Sequence, residues 1–192
     1  PAVNYFPLPL WRRLMDNVLR DEGSALLGYG EAAGDPLLRE AIARHLALSR
    51  GIRCDIRQIV ITEGALEGVN LCASLLTDPG DSVWVEEPGY LGARSSFQRA
   101  GLGIANGVAE PPRLIFTSPS HQYPLGSVMS AARRLALVEY ARLHGAWIVE
   151  DDYDSEFRHS GEPIPAMLGM VPDAPAAYLG TFSTTLFPAL RI

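Results

Sequence analysis

The sequence predicts an α/β fold in three layers, a mostly parallel sheet with helices on both faces. Two observations carry that expectation. Short β-branched or aromatic apolar runs alternate along the chain with apolar residues at helical spacing. Turns rich in glycine and proline mark most of the switches between them.

Taken in order, Asp35-Pro36 sets a capping carboxylate and then a proline where a helix tolerates one. Leu38, Ile42 and Leu46 follow at helical spacing, and Gly51 ends the run. Residues 59–61, Ile-Val-Ile, predict a strand that turns through Thr62-Glu63-Gly64 into a helix carrying Leu66, Val69, Ala73 and Leu76, which Asp78-Pro79-Gly80 closes. The pattern then repeats: strand 82–85, helix 91–100, strand 114–117, helix 130–144, strand 147–149 and a further strand at 178–180. In such a sheet, ligands bind beyond the carboxyl ends of the strands.

Two places look incomplete. A weak extended run, 103–108, lies only a few residues before the strand at 114, whereas parallel neighbours need a crossover of roughly a dozen residues or more. Either those strands are not neighbours or a helix is missing. The apolar run 186–190 near the end of the sequence also needs somewhere to pack, so further chain is expected there.

The 192 residues fit one domain, 47% of them hydrophobic and 20% charged, with no run of roughly 20 apolar residues to cross a bilayer. The N-terminal segment has neither a basic start nor a small-residue cleavage site, so a cytoplasmic address is expected. Cys54 and Cys72 lie in separate elements without a CxxC or a nearby histidine pair, which predicts buried thiols and no zinc. A net charge of −6 argues against nucleic acid as this segment's own ligand. All 16 basic residues are arginines. Chemistry that needs an ε-amine is therefore excluded for this chain.

Three features fall after strands and so on one sheet edge. The Gly64-Ala65-Leu66 turn opens a helix whose first amides form an anion seat. The run Glu150-Asp151-Asp152-Tyr153-Asp154 ends an apolar strand with clustered acids, where repulsion must be offset by a positive partner. Magnesium is a rival for that role, although an oxygen-only metal site needs no adjoining tyrosine. The stretch from Tyr178 to Arg191 surrounds an apolar run with hydroxyls and a guanidinium, groups that suit a phosphate.

With Tyr29-Gly30-Glu31, Glu87-Pro88-Gly89-Tyr90 and Ser120-His121-Gln122-Tyr123-Pro124 in the same order, the chain resembles the aminotransferase-like domain of MocR-type GntR regulators. The resemblance runs from about Leu8 to Ile192 and implies the large domain of a fold type I pyridoxal-phosphate (PLP) protein. By it, Asp151 would pair with the protonated ring nitrogen and Tyr153 would hydrogen-bond the phenolic oxygen. Tyr90 would stack on the ring, the Gly64, Ala65 and Leu66 amides with Thr181, Ser183 and Arg191 would hold the phosphate, and Tyr29 would reach the phosphate of a partner subunit in a homodimer. His121, Gln122 and Tyr123 form the stretch that approaches the ring oxygen, with Gln122 the candidate contact. His45, His144 and His159 lie outside these motifs and are expected to be structural. No metal is expected.

The chain departs from the family pattern in ways that bear on activity. Where the family reads Ser-Lys-Thr, this chain reads Ser183-Thr184-Thr185, so covalent attachment and lysine catalysis are lost. Ala65 and Leu66 offer amides without side-chain donors. The regulators' winged-helix DNA reader and the small C-terminal domain are expected to be absent from this segment. The resemblance thus favours a non-catalytic, effector-sensing domain that takes a small amino acid or amine. A class I aminotransferase with its lysine substituted and a dimerisation remnant are the alternatives.

Overall fold

A computed structural model describes residues 3–105, 110–157 and 164–192. Among the described residues the centre is a five-stranded parallel sheet of order β2-β1-β3-β4-β5. The strands are β1 (Ser82–Val85), β2 (Gly103–Ile104), β3 (Leu114–Thr117), β4 (Trp147–Asp152) and β5 (Ala176–Gly180). Around them lie α1 (Leu8–Glu22), α2 (Pro36–Ser49), α3 (Ala65–Leu76), α4 (Leu91–Arg99), α5 (Ala131–His144) and the single turn α6 (Met167–Met170).

Side chains alternate across a strand, and the alternation divides the core into two layers. Val83, Leu114, Phe116 and Val149 meet Val69, Ala73, Ala93 and Phe97 of α3 and α4. Ile115 and Ile148 meet Val138, Ala141 and Met167 of α5 and α6 on the other face. Helix starts follow the sequence: Asp35 accepts from the Leu38 amide at 2.9 Å, and Ser130 accepts from Arg133. Gly145 closes α5 in the left-handed conformation, at φ 65°. Gly68 lets α3 lie directly on β5, because a Cβ there would collide with the Leu179 side chain.

The sheet differs from expectation in two respects and decides between two alternatives in a third. Residues 59–61 are not a strand. A strand exists only beside a partner, and the one backbone bond of Ile61 runs to the Ala33 carbonyl, at 2.9 Å. The extended run at 103–108 contributes only Gly103–Ile104, the rest falling outside the described residues. It pairs with β1 on the side away from β3, so the two strands are not neighbours. The first of the two alternatives therefore holds.

Among the described residues no helix lies between β2 and β3. A cavity of about 510 Å³ opens on the α5 side of β1 and β3, walled by Trp84, Ile115, Met129 and Leu137.

Two helices went unanticipated, α1 and the short α6. The α1 helix buries no residue and leaves Leu10, Leu14 and Val18 exposed. Its Trp11 packs edge-to-face with Phe6 and Phe187, at 5.6 and 5.4 Å between ring centres, so the run at 186–190 finds part of its packing here. Among the described residues no helix is long and apolar enough to cross a membrane.

Candidate functional site

The acids that end β4 separate by strand alternation into two populations. Glu150 and Asp152 face the α5 and α6 side and are both buried. There Arg134 donates to Glu150 Oε1 at 3.3 Å, and Arg50 Nε lies 2.9 Å from Asp152 Oδ2. Burial pushes the Glu150 carboxyl up, opposed by the Met167 amide at 2.7 Å and by Arg134 and Arg50. The positive partner that the acid cluster requires is therefore, for two of its members, a pair of buried arginines. Neither was singled out from sequence, since a buried arginine near a helix end reads like any surface arginine.

Asp151 points to the opposite face and has no such partner. It is 7% exposed, and no ion pair to it is found among the described residues. Burial pushes its carboxyl up to about 7, assisted by the charges of Asp152, Glu86 and Asp154 and opposed by a hydrogen bond from Ser118. A carboxylate taken out of water and surrounded by other acids is held at a penalty unless a cation or a proton arrives.

Aromatic rings wall this face. Tyr90 meets Tyr123 edge-on at 6.3 Å between centres, and Tyr123 meets Tyr153 edge-on at 6.2 Å. Tyr153 stacks on the His121 imidazole at 6.0 Å and 14°. The Tyr90 hydroxyl is raised by its own burial and then by the Asp151 charge, while Arg191 pulls it down, so all three lie within electrostatic reach of one another. Burial and the neighbouring Asp154 and Asp151 push Tyr153 up to about 12. That keeps it a neutral hydroxyl able to donate.

The anion seat sits at the start of α3. Gly64 caps it at φ 84°, and the first-turn amides of Ala65 and Leu66 have no carbonyl one turn behind them. Arg191, itself at φ 60°, lies against this cap: its Nη2 donates to the Glu63 carbonyl at 2.9 Å. A Cβ on Gly64 would stand 3.3 Å from its guanidinium carbon. The Thr181 and Ser183 hydroxyls are paired at 3.0 Å, and Thr181 also donates to the Ile192 carbonyl. The Thr184 hydroxyl donates to the Tyr153 carbonyl at 2.6 Å, which puts position 184 beside the tyrosine.

Two sequence candidates stand apart. The Gln122 side-chain amide donates to the Pro88 and Tyr123 carbonyls, at 2.8 and 2.7 Å, and lies 3.2 Å from Glu86 Oε2, while its oxygen accepts from Leu125. It holds a loop together. His121 instead faces Tyr153 and contacts Asp154 at 2.5 Å. Tyr29 is fully exposed and touches none of these groups. His45 lies 3.4 Å from Glu156, His144 packs against Tyr140 at 4.3 Å, and His159 lies outside the described residues. Among the described residues no group of three or more potential metal ligands occurs.

Known proteins resemble this chain over its whole length or nearly so. The chain is 41% identical to the probable rhizopine catabolism regulatory protein MocR of Rhizobium meliloti, over all of this chain and 41% of that protein. It is 38% identical to the uncharacterized HTH-type transcriptional regulator YhdI of Bacillus subtilis, over 97% of this chain and 42% of the relative. The chain thus spans about two fifths of the length of these relatives. The MocR alignment has 204 positions against 192 residues here, so at least 12 residues of the relative have no counterpart in this chain.

Among solved structures, the α-aminoadipate aminotransferase of Thermus thermophilus, complexed with N-(5'-phosphopyridoxyl)-L-leucine, superposes with a TM-score of 0.88 at 27% identity, over all of this chain and 52% of that one. The family model for aminotransferase class I and II matches residues 2–109, more than half of the sequence. By this match and in agreement with the fold, the chain belongs to the class I and II aminotransferase family.

Proposed function

We propose that this chain is the pyridoxal-phosphate-binding, effector-sensing part of a MocR-type transcriptional regulator, and that it holds its cofactor without a covalent bond. One observation carries the reading: Asp151 is a buried carboxylate without a cation, on the aromatic-walled face of the sheet edge. A protonated pyridine nitrogen is the partner that this carboxylate lacks. The remaining residues fit the same molecule, with Tyr90 on the ring face, Tyr153 as donor to a phenolic oxygen, and the Ala65 and Leu66 amides with Arg191 for the phosphate. Thr181 and Ser183 would exchange their mutual hydrogen bond for phosphate oxygens, and Gln122 would contribute only through the loop that it braces.

When bound, the cofactor supplies an electron sink. The chain's own residues bind and orient it, and Thr184 has no nitrogen to attack it or to carry a proton. Regulation is favoured over turnover because the chain contains no lysine at all, its 16 basic residues being arginines. The DNA reader and the domain that completes the effector pocket are assigned to the part of the relatives that this chain does not span.

The test is visible absorbance and induced circular dichroism of the chain with added pyridoxal phosphate, beside Thr184→Lys. Wild type is expected to show an induced signal from reversibly bound cofactor that is lost on dialysis. Thr184→Lys should show a red-shifted band that borohydride fixes to the protein. An absence of induced signal from both proteins would remove the reading.

A homodimer belongs to the same proposal, with the exposed Tyr29 hydroxyl reaching the partner's phosphate. Tyr29→Phe is then expected to weaken cofactor binding roughly tenfold, the size of one charge-assisted hydrogen bond. Sedimentation with and without cofactor, together with the Tyr29→Phe affinity, checks it. A monomer whose affinity ignores the substitution would contradict it.

A further inference from the structure

The ion pair behind the site does more than neutralise charge. Arg50 follows α2 and is 3% exposed. Its Nη2 donates to Ser120 Oγ at 2.6 Å, in the loop after β3, and its Nη1 reaches the Ile164 carbonyl at 3.4 Å. The Nε lies 2.9 Å from Asp152 Oδ2 but is not angled to hydrogen-bond it, so this contact is one of charge. The same Asp152 oxygen accepts the Tyr178 hydroxyl at 2.8 Å, and Asp152 Oδ1 accepts the Ser155 amide at 3.1 Å. Burial and the Asp152 charge raise the Tyr178 hydroxyl far above its ordinary range, so it stays a donor.

Asp152 is therefore held from three directions: by α2, by β5 and by its own following turn. Successive side chains on a strand point to opposite faces. Pinning residue 152 on one face fixes the direction of residue 151 on the other. Among the described residues, Arg134 donates to Glu150 and to the Met129, Pro119 and Pro165 carbonyls rather than to Asp152.

We propose that Arg50 is a positioning residue, whose grip on Asp152 and Ser120 keeps the Asp151 carboxylate aimed at the ring-nitrogen position of the pocket. The proposal rests on the cofactor reading above. It separates Arg50 from a general core ion pair, because only a ligand with a ring nitrogen feels the aim of Asp151.

The experiment uses the full chain and two probes, pyridoxal phosphate and its 1-deaza analogue, in which a CH group replaces the ring nitrogen. Dissociation constants are measured for wild type, Arg50→Gln, Ser120→Ala and Tyr178→Phe, with far-ultraviolet dichroism to confirm folding. Wild type is expected to prefer pyridoxal phosphate over the analogue at least tenfold. Arg50→Gln should bring that ratio close to one by losing pyridoxal phosphate while keeping the analogue, and the two milder variants should lower it two- to threefold.

Equal weakening toward both probes, or an unchanged ratio, overturns the positioning role. If Arg50→Gln does not fold, an unchanged ratio in both Ser120→Ala and Tyr178→Phe overturns it in the same way. A wild-type ratio near one sinks the cofactor reading itself and this proposal with it, whereas a wild-type preference that survives Arg50→Gln sinks the positioning role alone.

Discussion

Without cofactor, the chain loses stability as the pH rises from 5 to 8, and Asp151→Asn removes a large part of that loss. The folded-state pKa of Asp151 is raised from the ordinary 3.8 to about 7, first by burial and then by Asp152 and Glu86. Between those two values the native state binds more protons at this group than the unfolded state does, so stability falls with increasing pH. The group costs nothing well below pH 4, already opposes folding by roughly a third of its full effect at pH 5, and opposes it fully above about pH 7. The whole displacement corresponds to at most roughly 4 kcal/mol, about two thirds of which falls between pH 5 and 8, or on the order of 5–10 °C in melting temperature for a chain of this size.

Thermal melts of wild type and Asp151→Asn across this range measure the difference directly. Glu150 and Asp154, also raised by burial, keep some slope in the variant. Saturating pyridoxal phosphate should restore the wild type at pH 8 and leave the variant little changed. Parallel slopes in the two proteins would show that Asp151 is not held as described.

The second large effect lies on the opposite face. Arg134→Met is expected to cost about 3–5 kcal/mol, because it leaves the buried Glu150 carboxylate with only Arg50, 4.0 Å away, as its cation. Arg134 is 1% exposed, donates to Glu150 at 3.3 Å and also serves the Pro119, Pro165 and Met129 carbonyls. Adding Glu150→Gln should recover a substantial part of the loss, since the charge then disappears while an oxygen remains for the Met167 amide at 2.7 Å. Urea unfolding of the single and double variants gives the coupling. If the double variant is no more stable than Arg134→Met, the three carbonyl bonds outweigh the ion pair.

Much of this architecture could be read from the sequence, for identifiable reasons. The parallel strands at 82–85, 114–117 and 147–149 announce themselves through short, nearly continuous apolar runs, the last of them continuing through the acids to Asp152, and Ser130 and Asp35 mark helix starts through their own side-chain bonds. Residues 59–61 have the same composition but no strand beside them, and composition does not report partners. Leu10, Leu14 and Val18 of α1 do carry helical spacing, between Pro9 and Gly23, and so were within reach of pattern reading.

At the site, the clustered acids were legible as a demand for positive charge. Which acid goes unanswered was not, because that depends on where Arg50 and Arg134 arrive from α2 and α5. Gln122 illustrates the same limit: its neighbours in sequence point to a ligand, while its amide is taken up by the Pro88 and Tyr123 carbonyls.

The two faces of β4 also differ in what drift can do to them. On the arginine face, a substitution leaves a buried charge without its partner and is removed through loss of the folded protein. On the pocket face, replacing Asp151 by a neutral residue makes the empty protein sturdier, so a lineage released from ligand binding has a downhill path that erases this carboxylate. A chain that carries Thr184 and still carries Asp151 has not taken that path. With that carboxylate kept and Thr184 in place of an amine, the folded population should rise and fall with the concentration of a ligand that brings a positive centre to the pocket.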